Sequence, residues 1–379
     1  MALVLNEEQR LLKDTAKEFL ASNAPVEALR KLRDDEDAQG YAQALWQQMA
    51  ELGWASIILP EDFGGLDFGF LGLGVVMEES GRTLTASPLF ASAVVGASAV
   101  LLGGSSEQKE SLLPAIAAGE TTLALALEES HHHRPDHIST TATASDGGYL
   151  IDGKKTFVLD GHSADKLIVV ARSSGEATDR EGISLFLVDR DSAGIHCQRT
   201  IMADSRNAAN ISFDKVRVDA SALLGEVDQG WQVLEPVLDR GRVALAAEMM
   251  GLALEAFERT VAYLKEREQF GVLIGSFQAL QHRAAIMQAE LELARSVILQ
   301  ALSAVDETPE QLPLLASLAK AKLNDLVLLV TNEAVQMHGG IGVTDELEIG
   351  FFLKRARVAM QIFGDAGYHK DRYATLCGY

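Results

Sequence analysis

Basic residues are scarce in this chain. Thirty-three Lys and Arg (33) stand against 54 Asp and Glu in 379 residues, a formal net charge of -21. That balance excludes a nucleic-acid surface built on lysine and arginine, and attachment to an anionic membrane through a polybasic patch. Cysteine is scarcer still. Cys197 and Cys377 stand far apart, so no disulfide framework is implied and a reducing compartment fits. No apolar run approaches the ~18 residues of a membrane span. Met1-Ala2-Leu3 leads straight into a helix signal, with no basic segment and apolar stretch, so the expected location is cytoplasmic. Repeats and low-complexity tracts are missing too. What remains is 47% hydrophobic and 23% charged, the composition of a globular protein long enough for two or three domains.

Residues 1–120 read as helical. Asn6 and Gln9 have the spacing of a capping box, ahead of an apolar stripe of Leu12, Ala16, Phe19 and Leu20. Helices are predicted over residues 44–52, from 75 to 81, over 89–102 and after Ser105, with 60–74 as a glycine-rich loop. That loop is no dinucleotide fingerprint, because no strand leads into a G-x-G-x-x-G spacing. Residues 121–228 change to period two and β-branched side chains. Asp152-Gly153 reads as a hairpin turn between 149–151 and 156–159, and strands follow over 167–171, 183–188 and 210–218. Residues 229–379 return to helix, with Pro309 and Pro313 between two long apolar patterns. The fold class is mainly α with a central β-domain.

Two stretches carry chemistry. Arg267-Glu268-Gln269-Phe270-Gly271, followed by Ser276-Phe277-Gln278, closes one helical pattern and opens the next. A guanidinium and two amides converge at such a corner. The planar fork of Arg suits a pyrophosphate, and Phe270 is suited to cover an adenine. The second stretch, Gln336-Met337-His338-Gly339-Gly340-Ile341-Gly342, lets backbone approach a ligand closely.

Together these stretches resemble the acyl-CoA dehydrogenase family, nearly end to end. Asn6 to Arg10, Pro60 to Gly65 and Glu78 to Arg82 are similar to that family's N-terminal half, and Gly153 to Phe157 falls where its flavin-facing strand lies. The resemblance implies an N-terminal helical domain (1–120), a β-barrel-like middle domain (121–228) and a C-terminal four-helix bundle (229–379), with FAD between the last two. It implies an acyl-CoA substrate, a homotetramer or a heterotetramer with a related subunit, and an electron-transfer flavoprotein as acceptor. Arg267, Phe270 and Gln278 match the positions that hold the FAD adenine and pyrophosphate of a neighbouring subunit, and Gln336, Gly339 and Gly340 match the second such contact. In the β-domain Leu127, Glu128, Phe157 and Leu159 match flavin contacts, although Glu128 and Leu159 stand where the family has Thr. Asp239 and Arg242 match positions near the pantetheine and CoA.

The histidine run departs from the pattern. His133 and His137 are four apart, but Pro135 stands against a helix, and His131 to His133 cannot all face one ion. A polar loop and no metal is the expectation. The base departs as well. The family carries a Glu shortly before the C-terminus, or on an earlier helix before an Arg; Gly364 and Gly241 fall at those places. Asp365, one residue on, is the candidate base, with a helix cap or turn as its alternative. The expected activity is α,β-dehydrogenation of an acyl-CoA by α-proton abstraction and β-hydride transfer to flavin. The alternatives are a catalytically incomplete subunit of a heteromeric dehydrogenase, a same-fold flavoenzyme with other chemistry, and a CoA-binding protein without FAD.

Overall fold

The chain runs from helices into strands and back to helices. The computed structural model describes residues 4–379. In order they form α1 (Glu7–Asn23), α2 (Val26–Asp34), α3 (Gln43–Glu51), α4 (Gly69–Arg82), α5 (Ala97–Gly103) and α6 (Ser106–Ala117). Strands β1 (Leu123–Ala126), β2 (Thr141–Ser145), β3 (Gly148–Leu159), β4 (Lys166–Arg172), β5 (Ile183–Asp189), β6 (Ile195–Ile201), β7 (Asn207–Asp219) and β8 (Leu223–Leu224) follow. The chain ends in α7 (Trp231–Glu266), the short pair β9 (Glu268–Gln269) and β10 (Val272–Leu273), then α8 (Gln278–Glu307), α9 (Leu312–His338), α10 (Ile349–Gln361) and α11 (Ala366–Leu376). Two compact units result, interleaved along the sequence. One comprises the chain up to Asp35 with Phe70–Thr85 and Arg242–Tyr379; the other comprises Glu36–Gly69 and Ala86–Gly241.

In the second unit the strands form one sheet in the order β6-β7-β3-β2-β4-β5-β8, with β1 parallel to β4. Tyr149 of β3 and Phe186 of β5 have ring centroids 5.0 Å apart. Those strands are three places apart in the sheet, a span of about 14 Å if it were flat. The sheet therefore curls on itself and encloses Ala142, Ile151, Leu167, Phe186, Ile211 and Val216 in a single apolar cluster.

The hairpin turn lies elsewhere than predicted. It is Asp146-Gly147, joining β2 to β3, while β3 runs unbroken through Asp152-Gly153. A register shift stands between Ile151 and Gly153, and a Cβ on Gly153 (φ +149) would lie 2.6 Å from the Thr140 hydroxyl. Glycine is needed there for a bulge and a close approach, not for a turn. The stretch 89–102 is also not one uniform helix: Leu89–Gly96 is a wider π-type helix that continues into α5.

The capping box at Asn6 forms as predicted, with the Gln9 amide donating to Asn6 Oδ1 at 2.8 Å and the Asn6 amide to Gln9 Oε1 at 3.0 Å. The predicted loop 60–74 ends early, because α4 begins at Gly69. Gly74 in it, and Gly81 and Gly251 beyond it, serve helix contact. In the first unit, a Cβ on Gly74 would lie 2.3 Å from Leu302, one on Gly81 2.0 Å from the Glu248 carbonyl, and one on Gly251 1.7 Å from the Glu78 carbonyl. Helices α4 and α7 thus cross backbone to backbone, a separation that only glycine permits. Val243, Leu245 and Met249 of α7 are fully buried, each worth about 1.5–3 kcal/mol against exposure. Helix α9 packs against α8, α10 and α11.

Candidate functional site

At the corner between α7 and α8 the chain makes a two-stranded hairpin, with Gln269 opposite Val272 and Glu268 opposite Leu273. The two residues of its turn, Phe270 (φ 57) and Gly271 (φ 77), are both left-handed, as a type I′ turn requires. Glycine adopts this freely; phenylalanine does so at a cost of about 1–2 kcal/mol. Phe270 is moreover 91% exposed, its ring meeting that of Phe277 edge-on at 6.2 Å between centroids. A strained, solvent-facing aromatic at a turn tip marks a contact surface. Arg267 and Gln278 flank the same hairpin and are exposed; the Arg267 carbonyl accepts from the Ile274 amide at 2.8 Å.

The glycine motif comes to the same end of the helices. His338, the last residue of α9, stacks on Tyr263 of α7 at 4.4 Å between centroids, so the two motifs are neighbours although some seventy residues separate them. His338 donates from Nδ1 to the Ala334 carbonyl at 2.7 Å, and burial pulls its pKa down. The lowered pKa favours the neutral ring, which meets Tyr263 at an interplanar angle of 31°. Arg283 of α8 pairs with Glu333 of α9 beside it. Gly339 has φ +66, and a Cβ on Gly339 or Gly340 would meet nothing within 4 Å; Gln336 is exposed next to them. The open backbone, the exposed aromatic and the Arg fork form a surface suited to a phosphate-bearing aromatic ligand.

In the β-unit, Phe157 sits half-buried on the bulge of β3 at φ 54. Its amide and the Thr156 hydroxyl both donate to Asn210 Oδ1, at 3.3 and 2.8 Å. Leu159 is half-buried two residues on. Glu128 is engaged with His133 Nδ1 at 2.5 Å, and its carbonyl accepts from the Thr156 amide at 2.7 Å. The Leu127 carbonyl accepts from Lys155 Nζ at 3.0 Å. Sequence reasoning missed Lys155 itself. Its fully buried amine also meets Glu129 at 2.7 Å, and Glu129 accepts from the amides of Ser139 and Thr140. Burial alone would raise the Glu129 carboxyl, but Lys155 and Thr140 outweigh it and hold it low, while burial pulls the lysine down. A cavity of about 500 Å³ opens beside this pair, bordered by Thr156, His196, Gln198 and Asn210. The histidine run forms an irregular loop with His131 and His132 exposed. Its end is tied to Arg172, which donates to the carbonyls of Asp136 and Ile138 at 3.4 Å.

The segment around Gly364 is fixed from several sides. Lys320, fully buried in α9, donates to the carbonyls of Ala359 and Gly364 and to Asn324, at 3.0 to 3.1 Å. Burial and the charge of Arg242 pull its pKa far down, against the pull of Asp365. The Phe363 carbonyl accepts from His369 Nε2 at 2.9 Å and from Arg242 Nε at 3.2 Å. Arg242 is 1% exposed and its guanidinium also reaches the Tyr368 hydroxyl; it holds this segment in place. Asp239, one turn earlier on α7, is equally buried. Gly364 has φ +112, and a Cβ there would lie 2.5 Å from Tyr368 and 2.8 Å from His369. The space a longer side chain would enter is already filled. Asp365 is exposed and is the N-cap of α11, accepting from the Tyr368 amide at 2.8 Å. Neither Lys320 nor His369 bears a motif; both read in sequence as ordinary helix residues.

Comparison with known proteins gives the family. The family models for the acyl-CoA dehydrogenase N-terminal domain, middle domain and C-terminal domain match residues 6–120, 125–216 and 228–375. The probable acyl-CoA dehydrogenase YngJ of Bacillus subtilis is 30% identical, with 94% of each chain covered. The caffeyl-CoA reductase-Etf complex subunit CarC of Acetobacterium woodii is 28% identical, again with 94% of each covered. Among solved structures, a variant of the Tcur3481-Tcur3483 steroid ACAD superposes with a TM-score of 0.88 at 31% identity, covering 98% of both chains.

Proposed function

Because the chain belongs to the acyl-CoA dehydrogenase family, we propose that it is an FAD-binding subunit acting on an acyl-CoA thioester, completed in its assembly by a carboxylate from a related chain. The residues present fit FAD. Arg267, Phe270 and Gln278 would hold its pyrophosphate and adenine, with Gly339 and Gly340 giving the backbone room to approach, and Phe157 and Leu159 would border the flavin ring. FAD, when bound, supplies the acceptor for a hydride from the acyl β-carbon. Because the corner residues face away from their own chain's packing, they serve the cofactor of a neighbouring subunit.

One observation favours an incomplete subunit over a self-sufficient dehydrogenase. At Gly364 the backbone is left-handed and Tyr368 and His369 fill the adjoining space, while the carboxylate of Asp365 is engaged as a helix cap in solvent. A proton-abstracting base needs reach to the substrate and a poised pKa. A carboxylate held as a helix cap in solvent lacks that reach. The named relatives include a steroid ACAD designated by two components and a subunit of an Etf complex, which accords with a multi-chain assembly and an electron-transfer flavoprotein as acceptor. The chain's own residues then bind FAD, orient the thioester and exclude water, and Arg242, Lys320 and His369 hold the Phe363–Gly364 backbone rigid.

The test is the absorbance of the purified chain with FAD, without oxygen, as acyl-CoAs from butyryl-CoA upward are added. The flavin bands persist if the base resides elsewhere. Bleaching by the chain alone that disappears in Asp365→Asn would overturn this reading and make Asp365 the base.

A further inference from the structure

A second cavity lies in the helical unit, away from every residue assigned above. It measures about 280 Å³ and is walled by α1, α4, α7 and α8. Val75, Met250, Ile298 and Leu302 form its apolar wall. Three cations, Arg10, Lys13 and Arg295, line it as well, with Glu78 as the lining carboxylate. For a chain with 33 basic residues in 379 and a net charge of -21, that is a strong local reversal of sign.

The charges are unequally paired. Lys13 is taken by Glu78 at 2.5 Å and lies 3.7 Å from Glu79. Arg295 has Glu292 only at 4.0 Å, one turn away on a solvent-facing part of α8, with both side chains about half exposed. Such a pair is worth little in water. Arg10 has no carboxylate within salt-bridge distance among the described residues. Two guanidiniums therefore remain available at the edge of a small apolar hollow. Arg presents a planar fork that matches a carboxylate bidentately, and the apolar wall gives burial for a short hydrocarbon body. The volume is near the low end for small-molecule sites, so the occupant is short.

From this geometry we infer a binding site for a small amphipathic carboxylate, an alkanoate whose chain enters the hollow between Val75 and Leu302 while its head pairs with Arg10 and Arg295. This site does not rest on the flavin reading, because its residues lie on the α1–α4 side of the unit and none belongs to the corner or the Gly364 segment.

The experiment is calorimetric titration of the purified full-length chain with octanoate, beside 1-octanol and octylammonium as probes of the head group. Octanoate should bind saturably, octanol at least tenfold more weakly, and octylammonium not at all. The Arg10→Gln, Arg295→Gln double variant, with folding checked by circular dichroism, should lose at least tenfold in affinity for octanoate. Leu71→Trp, which adds bulk at the half-buried lip, should block binding with both arginines intact. Octanoate binding that is unchanged in both variants would place it at some other site, the acyl-CoA site included, and overturn the inference. Absence of saturable binding by millimolar octanoate would overturn it equally.

Discussion

Phe270 is a side chain whose placement the stability of its own fold does not explain. It is left-handed, exposed and at the tip of a two-residue turn, where Asn or Gly would be stable and Phe is strained. Phe270→Asn should therefore raise thermal stability, by about 1 kcal/mol in the apo chain, while weakening FAD retention. Parallel melts and flavin-release measurements on apo and loaded protein check this pair of opposite signs. Gly364 makes the complementary case. Gly364→Glu would put a carboxylate where the resemblance leads one to expect it, yet its Cβ would begin 2.5 Å from Tyr368. Overpacking and the positive φ together predict a loss of about 2–4 kcal/mol, read as a lower urea midpoint, with no gain of flavin bleaching. A bleaching-competent, equally stable G364E protein would contradict the packing described here.

Among the elements, α2 is tied to the loop after α9 by charge. Arg33 and Arg30 both bond Asp345, at 2.7 to 2.9 Å, and both guanidiniums lie near the Phe351 ring of α10. The hydrogen bonds from Arg33, with the charges of Arg33 and Arg30, hold the Asp345 carboxyl at about 2. A carboxyl depressed in the folded state stabilises at pH above its ordinary value and loses that contribution as pH falls through its folded one. The melting temperatures of the wild type and Asp345→Asn should thus differ by a constant amount above about pH 4 and converge as pH falls toward 2. High salt should shrink the gap as well, since the pair is exposed. Divergence at low pH would rule the pairing out. The α4–α7 crossing is an element-scale feature of another kind. It depends on Gly81 and Gly251, and Arg82 of α4 pairs across it with Glu255 and Glu258 of α7.

For the molecule as a whole, a net charge of -21 makes copies of the chain repel one another. Association must therefore be driven by apolar surface. The helical unit exposes it: Phe270, Phe277, Ile286, Leu293, Ile341 and Val343 are each 38% exposed or more. Ile286 and Leu293 are seven apart on α8 and share one face. The Ile286→Asp, Leu293→Asp variant should sediment as a smaller species than the wild type and release FAD more readily. Wild-type assembly should strengthen as salt screens the repulsion. Identical sedimentation of variant and wild type would remove this face from the interface.

Local rules settled a good deal in advance. The capping box at Asn6, the long helices on either side of the Arg267 corner and the change to period two after residue 121 follow from spacing alone, because each is decided by residues within a turn or a strand of one another. The motifs proposed to face a ligand stand out in the sequence for the same reason: Arg267 to Gln278 and Gln336 to Gly342 are contiguous. Choices that depend on distant partners do not. Asp152-Gly153 reads along the chain as a hairpin turn, and only the presence of Thr140 against Gly153 assigned that glycine to a bulge. The glycines at 69, 72 and 74 look like a loop until Leu302 is brought against Gly74. Lys155 with Glu129, Lys320 with the carbonyls of α10, and the pocket between Arg10 and Arg295 carry no signal along the chain. Burial gives these groups their meaning, and burial is a property of the packed chain: a buried charge must find its partner in space, wherever that partner lies in the sequence.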